Sequence, residues 1–547
     1  MGIQAGCTRA LVWLRATGRH PKIAILLLVF LSLAGSVGTG LVRGTPLPFV
    51  HDEFSYLLAG ETFAEGRLTN PTHPHWEHFE TYHVIHVPSY QSKYPPGQGL
   101  ALAVGKRVTG EPIVGVWLAS AFMAAAIGWA LLIWLPPSWA MLSALMCTAH
   151  LSWFSYWAQS YWGGALAAGA GALALGAFRV FTTDKPQWWH GGLLGIGLGI
   201  LSVTRPFEGG ILGLFLVAGL TLHWIRLRPL VVNTQVISAL FVAGTILSVS
   251  FAGLGFYNAQ ITGAPLTMPY QVHEAQYGSA PSFLFQGPVE PPAYRHAEME
   301  RFWLDWVERR YQILSSPPAL LRHAVDQTLS RAVELMGAGI LGLLGLFSVF
   351  HGRDLSNAAH SKGMRLPLLI VLVVTSLSMT TAGAHLHYLA PITALAFLGV
   401  GKGLLGLHRR ARARRELNIA GVIVLVFISL IAVSWTMVLS HPPAGFAQER
   451  HRLEGQLASL PAPQLVLVSY DGESNIFEEW VQNGPDIDAA PVVWARSMGP
   501  EADSELLRYF HGHSVWRLHV GQDVELTPHF MGQGRHTWIP NAWPSIP

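Results

Sequence analysis

The sequence predicts an all-α polytopic membrane protein of about 11 transmembrane helices, with a large first outer loop and a small C-terminal α/β domain. Three observations predict it. Hydrophobic residues make up 51% of the 547 residues and charged residues only 12%, about half the share usual in a globular protein. The apolar residues fall in blocks about as long as a bilayer is thick. Lysine and arginine gather in alternate connecting segments, as the positive-inside rule requires. The same composition excludes other classes. A formal charge of +3, with no basic, aromatic-studded soluble domain, argues against nucleic acid as a partner. The two cysteines, Cys7 and Cys147, exclude a disulfide framework and a cysteine-ligated metal or iron–sulfur cluster.

The first apolar run, Ile23 to Val42, follows a tail carrying Arg9, Arg15, Arg19 and Lys22. It is too long for the apolar core of a signal peptide and many further spans follow, so it reads as a retained first helix. The spans predicted are 22–42, 112–134, 138–156, 161–181, 188–204, 209–225, 231–256, 333–350, 366–382, 387–405 and 418–439. The segment 188–204 is glycine-rich and short. With a cytoplasmic N-terminus, the inner segments hold that basic tail, Arg179 and Lys185, Arg226 and Arg228, Arg353, Lys362 and Arg365, and the run from Lys402 to Arg415. The short loops on the other side carry only Arg205. The N-terminus is therefore expected inside and the C-terminus outside. His408–Arg415 (HRRARARR) reads as a topology anchor or as a site for anionic membrane lipids.

This topology puts three long segments on one outer face: 43–110, 257–332 and everything beyond 440. Residues 1–440 are expected to form the membrane domain and 441–547 a domain of their own. In the latter, the apolar runs Leu465–Ser469, Pro491–Ala495 and Val515–Val520 alternate with helix-compatible Ser474–Gln482 and Glu501–Phe510, the pattern of a small α/β layer. The inner loops are too short for a nucleotide-binding domain, and no phosphate-binding glycine loop of the GxxxxGK[ST] type occurs.

Chemistry concentrates in the first outer loop. It opens His51-Asp52-Glu53-Phe54-Ser55-Tyr56, and Phe54, Leu57, Leu58 and Phe63 recur at near-helical spacing, predicting an amphipathic helix along the membrane surface. Neighbours on a helix point about 100° apart, so Asp52 and Glu53 cannot both face one substrate atom. One can meet the substrate while the other holds a cation; alternatively Asp52 is only an N-cap. The stretch from Thr72 to His86 is dense in histidine, carboxylate and aromatic residues. His75, Trp76, His78 and Glu80 suit sugar rings, and His75 with His78, or His83 with His86, are conceivable divalent-metal pairs, although no HExxH is present. The loop ends Lys93-Tyr94-Pro95-Pro96, a cation ahead of a rigid diproline turn, suited to a phosphate or to snorkelling at the interface.

Two further clusters lie at the outer membrane edge. Thr204-Arg205-Pro206-Phe207-Glu208 places an arginine among apolar residues, costly there unless functional or paired with Glu208. His385-Leu386-His387-Tyr388 begins a later span, where the histidines can donate to a phosphate or simply sit at the interface. Tyr156, Trp157, Tyr161 and Trp162 mark another outer helix end, as an aromatic belt would.

Taken together, Asp52-Glu53 just after the first span, the large outer loop, the Lys-x-Pro-Pro turn and the helical body resemble the GT-C superfamily of membrane glycosyltransferases. The resemblance is to the bacterial relatives of protein O-mannosyltransferases and lipid A aminoarabinose transferases. It covers residues 20–440 in architecture and 51–97 in motif; Tyr94 intervenes where family members commonly have Lys-Pro-Pro. The resemblance implies a bacterial inner-membrane enzyme that moves a sugar from a polyprenyl-phosphate donor to a glycan, lipid or protein acceptor at the outer face, with inversion. It implies Asp52 as general base with Glu53 in support, Lys93, Arg205 and His387 on the donor phosphate, and Tyr56 and Tyr94 among the substrate contacts. Two rivals stand beside it: an oligosaccharide ligase or polymerase with a lipid-linked donor, and a secondary transporter. The transporter predicts internal repeats and paired broken helices, which the sequence lacks.

Overall fold

The computed structural model describes residues 2–183, 186–226, 234–336, 364–381, 385–414, 419–440 and 445–529. Helix α1 (Gly2–Gly18) leads into α2 (Pro21–Arg43), whose proline sits in the first turn, where no backbone donor is lost. The first outer segment carries α3 (His51–Ala64), a two-stranded ribbon of β1 (Val84–Ile85) and β2 (Gln91–Ser92), and α4 (Pro96–Thr109). The body continues with α5 (Ile113–Trp134), α6 (Pro137–Leu151), the short α7 (Tyr156–Gln159), α8 (Ala165–Thr183), α9 (Trp188–Thr204), α10 (Pro206–Arg226) and α11 (Thr234–Thr262). The second outer segment holds α12 (Pro269–Tyr277), α13 (Ala297–Glu300), a π-helical stretch Arg301–Glu308, α14 (Arg309–Leu314) and α15 (Pro317–Met336). Then follow α16 (Arg365–Ser378), a 3₁₀ stretch Leu386–Ile392, α17 (Thr393–Arg414) and α18 (Ile419–Ser440).

Among the described residues, six helical segments are long and apolar enough to cross a bilayer: α2, α5, α8, α10, α11 and Leu386–Ala413. α16 and part of α18 are apolar but shorter. The segments expected as spans at 138–156 and 188–204 form α6 and α9, of 15 and 17 residues. The expected span 333–350 lies outside the described residues beyond the end of α15. The glycines of α9 have a packing reason. A Cβ on Gly191 would stand 1.8 Å from the Ala239 carbonyl oxygen, and one on Gly195 would stand 2.8 Å from that of Ala243. Small residues one turn apart let α11 lie directly on α9, as lipid-embedded helices require in the absence of a hydrophobic drive between them.

The C-terminal domain pairs α19 (Phe446–Ala458) and α20 (Pro500–Tyr509) with a sheet of β3 (Gln464–Tyr470), β4 (Val492–Arg496), β5 (Ser514–Val520) and β6 (Val524–Pro528). Strand order is β4-β3-β5-β6; β3 pairs parallel with both neighbours, and β5 pairs antiparallel with β6. The three apolar runs expected from sequence are the three parallel strands. Of the two expected helices, 501–510 forms α20 whereas 474–482 has no helix, its chain being pinned by Tyr470, whose hydroxyl accepts from the Trp480 N–H at 3.0 Å.

Central β3 is apolar on both faces because both are covered. Val466, Val468 and Trp494 pack under Phe446, Leu453 and Leu457 of α19. Leu465, Leu467 and Val493 meet Leu506 and Phe510 and, with them, Leu58, Phe79, Val84 and Tyr90 of the first outer loop. Each such side chain contributes roughly 1.5–3 kcal/mol on burial, so the loop and the domain form one packed unit. This also corrects the expectation for α3. Its apolar face meets protein: Leu58 joins the sheet, Phe54 lies 4.9 Å under the Arg450 guanidinium, and Phe63 packs edge-on to Tyr257 at 5.9 Å. All three outer segments touch, through Tyr82 with Glu298 and Arg301 with Asp471, and so share one face.

Candidate functional site

The two adjacent carboxylates at the start of α3 have separate tasks. Glu53, 3% exposed, turns back to accept from Phe49 N (2.8 Å), Val50 N (3.2 Å) and Tyr161 N (2.9 Å). It therefore fixes the entry to α3 and ties it to the segment after α7, the role of the third residue in a capping box. Val50, not Asp52, is the N-cap. Asp52 points elsewhere and keeps 16% of its side chain exposed. The roughly 100° between neighbours separates the pair as expected.

Around Asp52 the chain builds an enclosure. One carboxylate oxygen accepts a short hydrogen bond from the Tyr94 hydroxyl; the other lies 3.2 Å from His51 Nδ1 and 3.7 Å from His83 Nε2. His83 adopts φ 62°, a left-handed conformation uncommon outside glycine. Its carbonyl is held there by Ser55 Oγ at 2.7 Å and Lys93 N at 3.1 Å. Such strain costs roughly 1–3 kcal/mol and concentrates at functional sites. Lys93 is buried, 3.7 Å from Glu274 and with its ammonium 4.7 Å from the Tyr270 ring centre. The second outer segment closes the far side with His273, Trp303 and Phe302, the last 5.1 Å from the His51 ring.

The Arg205 corner adjoins this enclosure. Arg205 ends α9 and Pro206 starts α10, so the guanidinium projects from a break between two helices. It lies 5.2 Å over the Tyr388 ring, with Tyr56, Glu208 and Tyr156 as electrostatic neighbours. Among the described residues no ion pair joins it to Glu208. His387 Nδ1 is 3.2 Å from the Tyr156 hydroxyl, and its ring packs on Trp162 at 5.2 Å. Two features join the corner to the carboxylate. Tyr56 stacks on Tyr94 at 4.4 Å and 18°. Gly97, at the start of α4, abuts the end of α9: a Cβ there would lie 2.4 Å from Thr204 Cγ2. Asp52, Tyr56, Lys93, Tyr94, Arg205 and His387 thus converge.

His75, Trp76, His78 and Glu80 lie where the first outer segment meets the second outer segment and the C-terminal domain. His78 Nδ1 contacts the Arg496 carbonyl at 2.8 Å; Trp76 lies 4.7 Å beneath the Arg295 guanidinium; His75 packs edge-on to Tyr509 at 5.1 Å. The Glu80 carboxylate binds Tyr277 (2.9 Å), Arg295 (3.2 Å) and His296 (3.2 Å). Sequence reasoning missed His51, His273, Glu274, Phe302 and Trp303 as parts of the site. His51 adjoins the acidic pair and was within reach of it; the others carry no motif.

Electrostatics separate the carboxylates. Burial disfavours the Asp52 charge, but His83, His51 and Tyr94 outweigh it and hold its carboxyl well below the usual range. Burial pushes Glu53 up against the opposing pull of its three N–H donors. Burial and the neighbouring Lys93 hold both His83 and His273 well below the ordinary imidazole value, so both are neutral at physiological pH. Asp52 is thus ionised at physiological pH with a neutral His83 beside it, free to accept a hydrogen bond from a hydroxyl or to face a cation. Among the described residues, the group able to hold a metal ion is His51, Asp52 and His83, with one ligand atom from each within 4.8 Å of the others. His75 and His78, considered from the sequence, are not in that group.

No sequence family matches the chain, and no curated protein matches it in sequence. Solved structures do match in shape. An oligosaccharyltransferase from Archaeoglobus fulgidus, in complex with zinc and sulfate, aligns over 91% of this chain and 67% of its own, with TM-score 0.50 and 10% identity. ArnT from Cupriavidus metallidurans aligns in its apo state over 90% of this chain and 92% of its own, with TM-score 0.49 and 13% identity. The same protein bound to undecaprenyl phosphate gives TM-score 0.48 and 14% identity over the same shares.

Proposed function

We propose that this chain, whose fold is that of the GT-C superfamily, is a membrane glycosyltransferase that takes its sugar from a polyprenyl-phosphate donor at the outer face of a bacterial inner membrane. The observation that carries the reading is the ionised Asp52, held by His51, His83 and Tyr94, within electrostatic reach of the Arg205 corner through His387 and Tyr388. A carboxylate for the acceptor hydroxyl and a cation for the donor phosphate thus share His387 and Tyr388 as neighbours.

In the proposed reaction the acceptor hydroxyl approaches C1 of the sugar from the side opposite the phosphate. Its proton passes to Asp52 as the acceptor oxygen–C1 bond forms. The C1–O bond to phosphate breaks, its electron pair leaves with the lipid phosphate, and the anomeric centre inverts. Positioned general bases contribute roughly 10²–10⁴-fold. Arg205 holds the phosphate, with His387 as a second donor; Lys93, neutralised in part by Glu274, supplies positive potential rather than a free ammonium. Tyr56 and Tyr94 offer stacked rings to the sugar. Glu53 supports the site from behind by fixing α3. Two carboxylates across one bond are not needed, because water is not the nucleophile.

A divalent cation also fits. Among the described residues His51 Nε2 and His83 Nδ1 are buried without hydrogen-bond partners, and mixed imidazole and carboxylate ligands suit first-row metals. His51, Asp52 and His83 would hold it, and when bound it would add positive charge beside the leaving phosphate. Chelation followed by metal-binding measurements on His51→Ala and wild-type protein tests this directly: equal, negligible binding by both removes the metal.

The reading is tested with purified protein in nanodiscs and a panel of polyprenyl-phosphate sugars. Release of free polyprenyl phosphate matched by acceptor glycosylation is expected. Turnover of polyprenyl-diphosphate oligosaccharides alone would instead favour the ligase alternative, and turnover of neither would end the enzymatic reading.

A further inference from the structure

Three outer segments meet at one guanidinium. Arg496, the last residue of β4, is 1% exposed. Its Nε donates to the Glu80 carbonyl at 2.7 Å, Nη1 to Glu298 at 2.8 Å and Nη2 to Glu479 at 2.5 Å. The C-terminal domain thereby grips the first outer segment through Glu80 and the second through Glu298. A planar fork spreads fixed donors over three nitrogens and so reaches three separated partners, whereas the three donors of a lysine ammonium radiate from one nitrogen.

From each grip the chain runs directly into the site. Glu80 leads through Tyr82 to His83. The Tyr82 hydroxyl donates to the Glu298 carbonyl at 2.9 Å, and its ring packs 5.1 Å from His51 and 4.5 Å from Phe302. Glu298 leads into the π-helical stretch that brings Phe302 and Trp303 against His51, His83 and His273. Phe477, from the domain itself, stacks on His51 at 6.2 Å. The imidazoles beside Asp52 are thus seated where two segments meet, and Arg496 joins both of those segments to the C-terminal domain.

We propose that Arg496 is a positioning residue for the Asp52 site: anchored in the C-terminal domain, it fixes the spacing of the two outer segments and so holds His51 and His83 against the carboxylate. The inference rests on the glycosyltransferase reading for its activity and goes beyond it by giving the C-terminal domain a part in that activity. A guanidinium that merely stabilised the fold would leave the catalytic rate of surviving folded protein unchanged.

The test uses full-length protein in nanodiscs, with spin labels on cysteines at exposed Pro74 and Glu300, one on each segment. Arg496→Gln is expected to broaden the distance distribution and lower kcat by about 10²-fold, the scale of a 1 Å misplacement, with donor KM near wild type. Arg496→Lys should fall between. Glu298→Gln, which keeps side-chain shape and leaves Glu479 paired, should shift both readouts in the same direction by less, and it covers the case in which Arg496→Gln does not fold. A distribution as narrow as wild type in Glu298→Gln and in every folded Arg496 variant overturns the inference, as does a broadened one with wild-type kcat. Should wild-type protein transfer no sugar at all, the functional reading fails, and the distance distributions alone decide whether Arg496 sets the spacing.

Discussion

Replacing Asp52 with asparagine isolates the charge from everything else the residue does. Asparagine keeps the volume and can still accept from the Tyr94 hydroxyl, whose bond to Asp52 is the shortest in the enclosure. It removes the negative charge from beside His51 and His83 and nearly all the basicity. Loss of a charge-assisted hydrogen bond costs about 1.5–3 kcal/mol, and relief from burying a carboxylate offsets part of it, so net stability should move by no more than about 2 kcal/mol. Capping does not enter, because Val50 is the N-cap and Glu53 the capping partner. Catalysis should respond far more. Loss of a positioned base is worth about 10²–10⁴-fold, or about 2.7–5.4 kcal/mol of barrier. Transfer rate, donor affinity and thermal midpoint measured on one preparation separate the cases. Transfer should fall by two orders of magnitude or more while the other two stay near wild type. Full activity in Asp52→Asn would refute the general-base argument and move the chemistry to the second outer segment.

Three further outcomes follow from the geometry. Arg205→Ala should weaken polyprenyl-phosphate binding about tenfold or more, on the scale of a lost charged hydrogen bond, in a flotation or scintillation binding assay; unchanged affinity in folded protein would make Arg205 a structural residue. Gly97→Ala should push α4 off Thr204, costing about 1–3 kcal/mol of stability by overpacking and lowering transfer as the carboxylate and the Arg205 corner part; thermal melts and rates test it, and wild-type values in both would refute the close contact. Reporter fusions at Gln448 and Arg412 should read opposite sides of the membrane, as α18 separates them. The same side for both would remove the basis for an external reaction.

The parts of the fold legible in the sequence were those that one-dimensional patterns encode. Apolar blocks located α2, α5, α6, α8 to α11 and α16 to α18, while α1 and α4, read as a tail and as part of the outer loop, were missed; the three apolar runs beyond residue 460 became parallel strands. β6 went unread because Val524–Pro528 is a short edge strand without a buried face. Asp52, Lys93 and Arg205 stood out because a charge at a membrane boundary is costly anywhere. Their partners did not, because nothing local marks them. His83, marked in the sequence only as a metal candidate beside His86, reaches Asp52 through a left-handed backbone turn, and His273 and Glu274 arrive from a segment without a motif. The histidine-rich stretch showed the opposite error of emphasis. Its density suggested ligand binding, yet His78 and Glu80 are occupied by contacts across the seam to the second outer segment and the C-terminal domain. Composition records which groups are present, and only tertiary contact determines which of them remain available.

The most direct measurement of the central claim is an experimental structure of the protein in nanodiscs with a bound polyprenyl phosphate. The account predicts phosphate density within hydrogen-bond reach of Arg205, about 3 Å, between the Tyr388 side and the Tyr56–Tyr94 pair, with the Asp52 carboxylate facing the position that the sugar C1 would occupy. A phosphate bound elsewhere, with Asp52 turned away from it, would contradict the account.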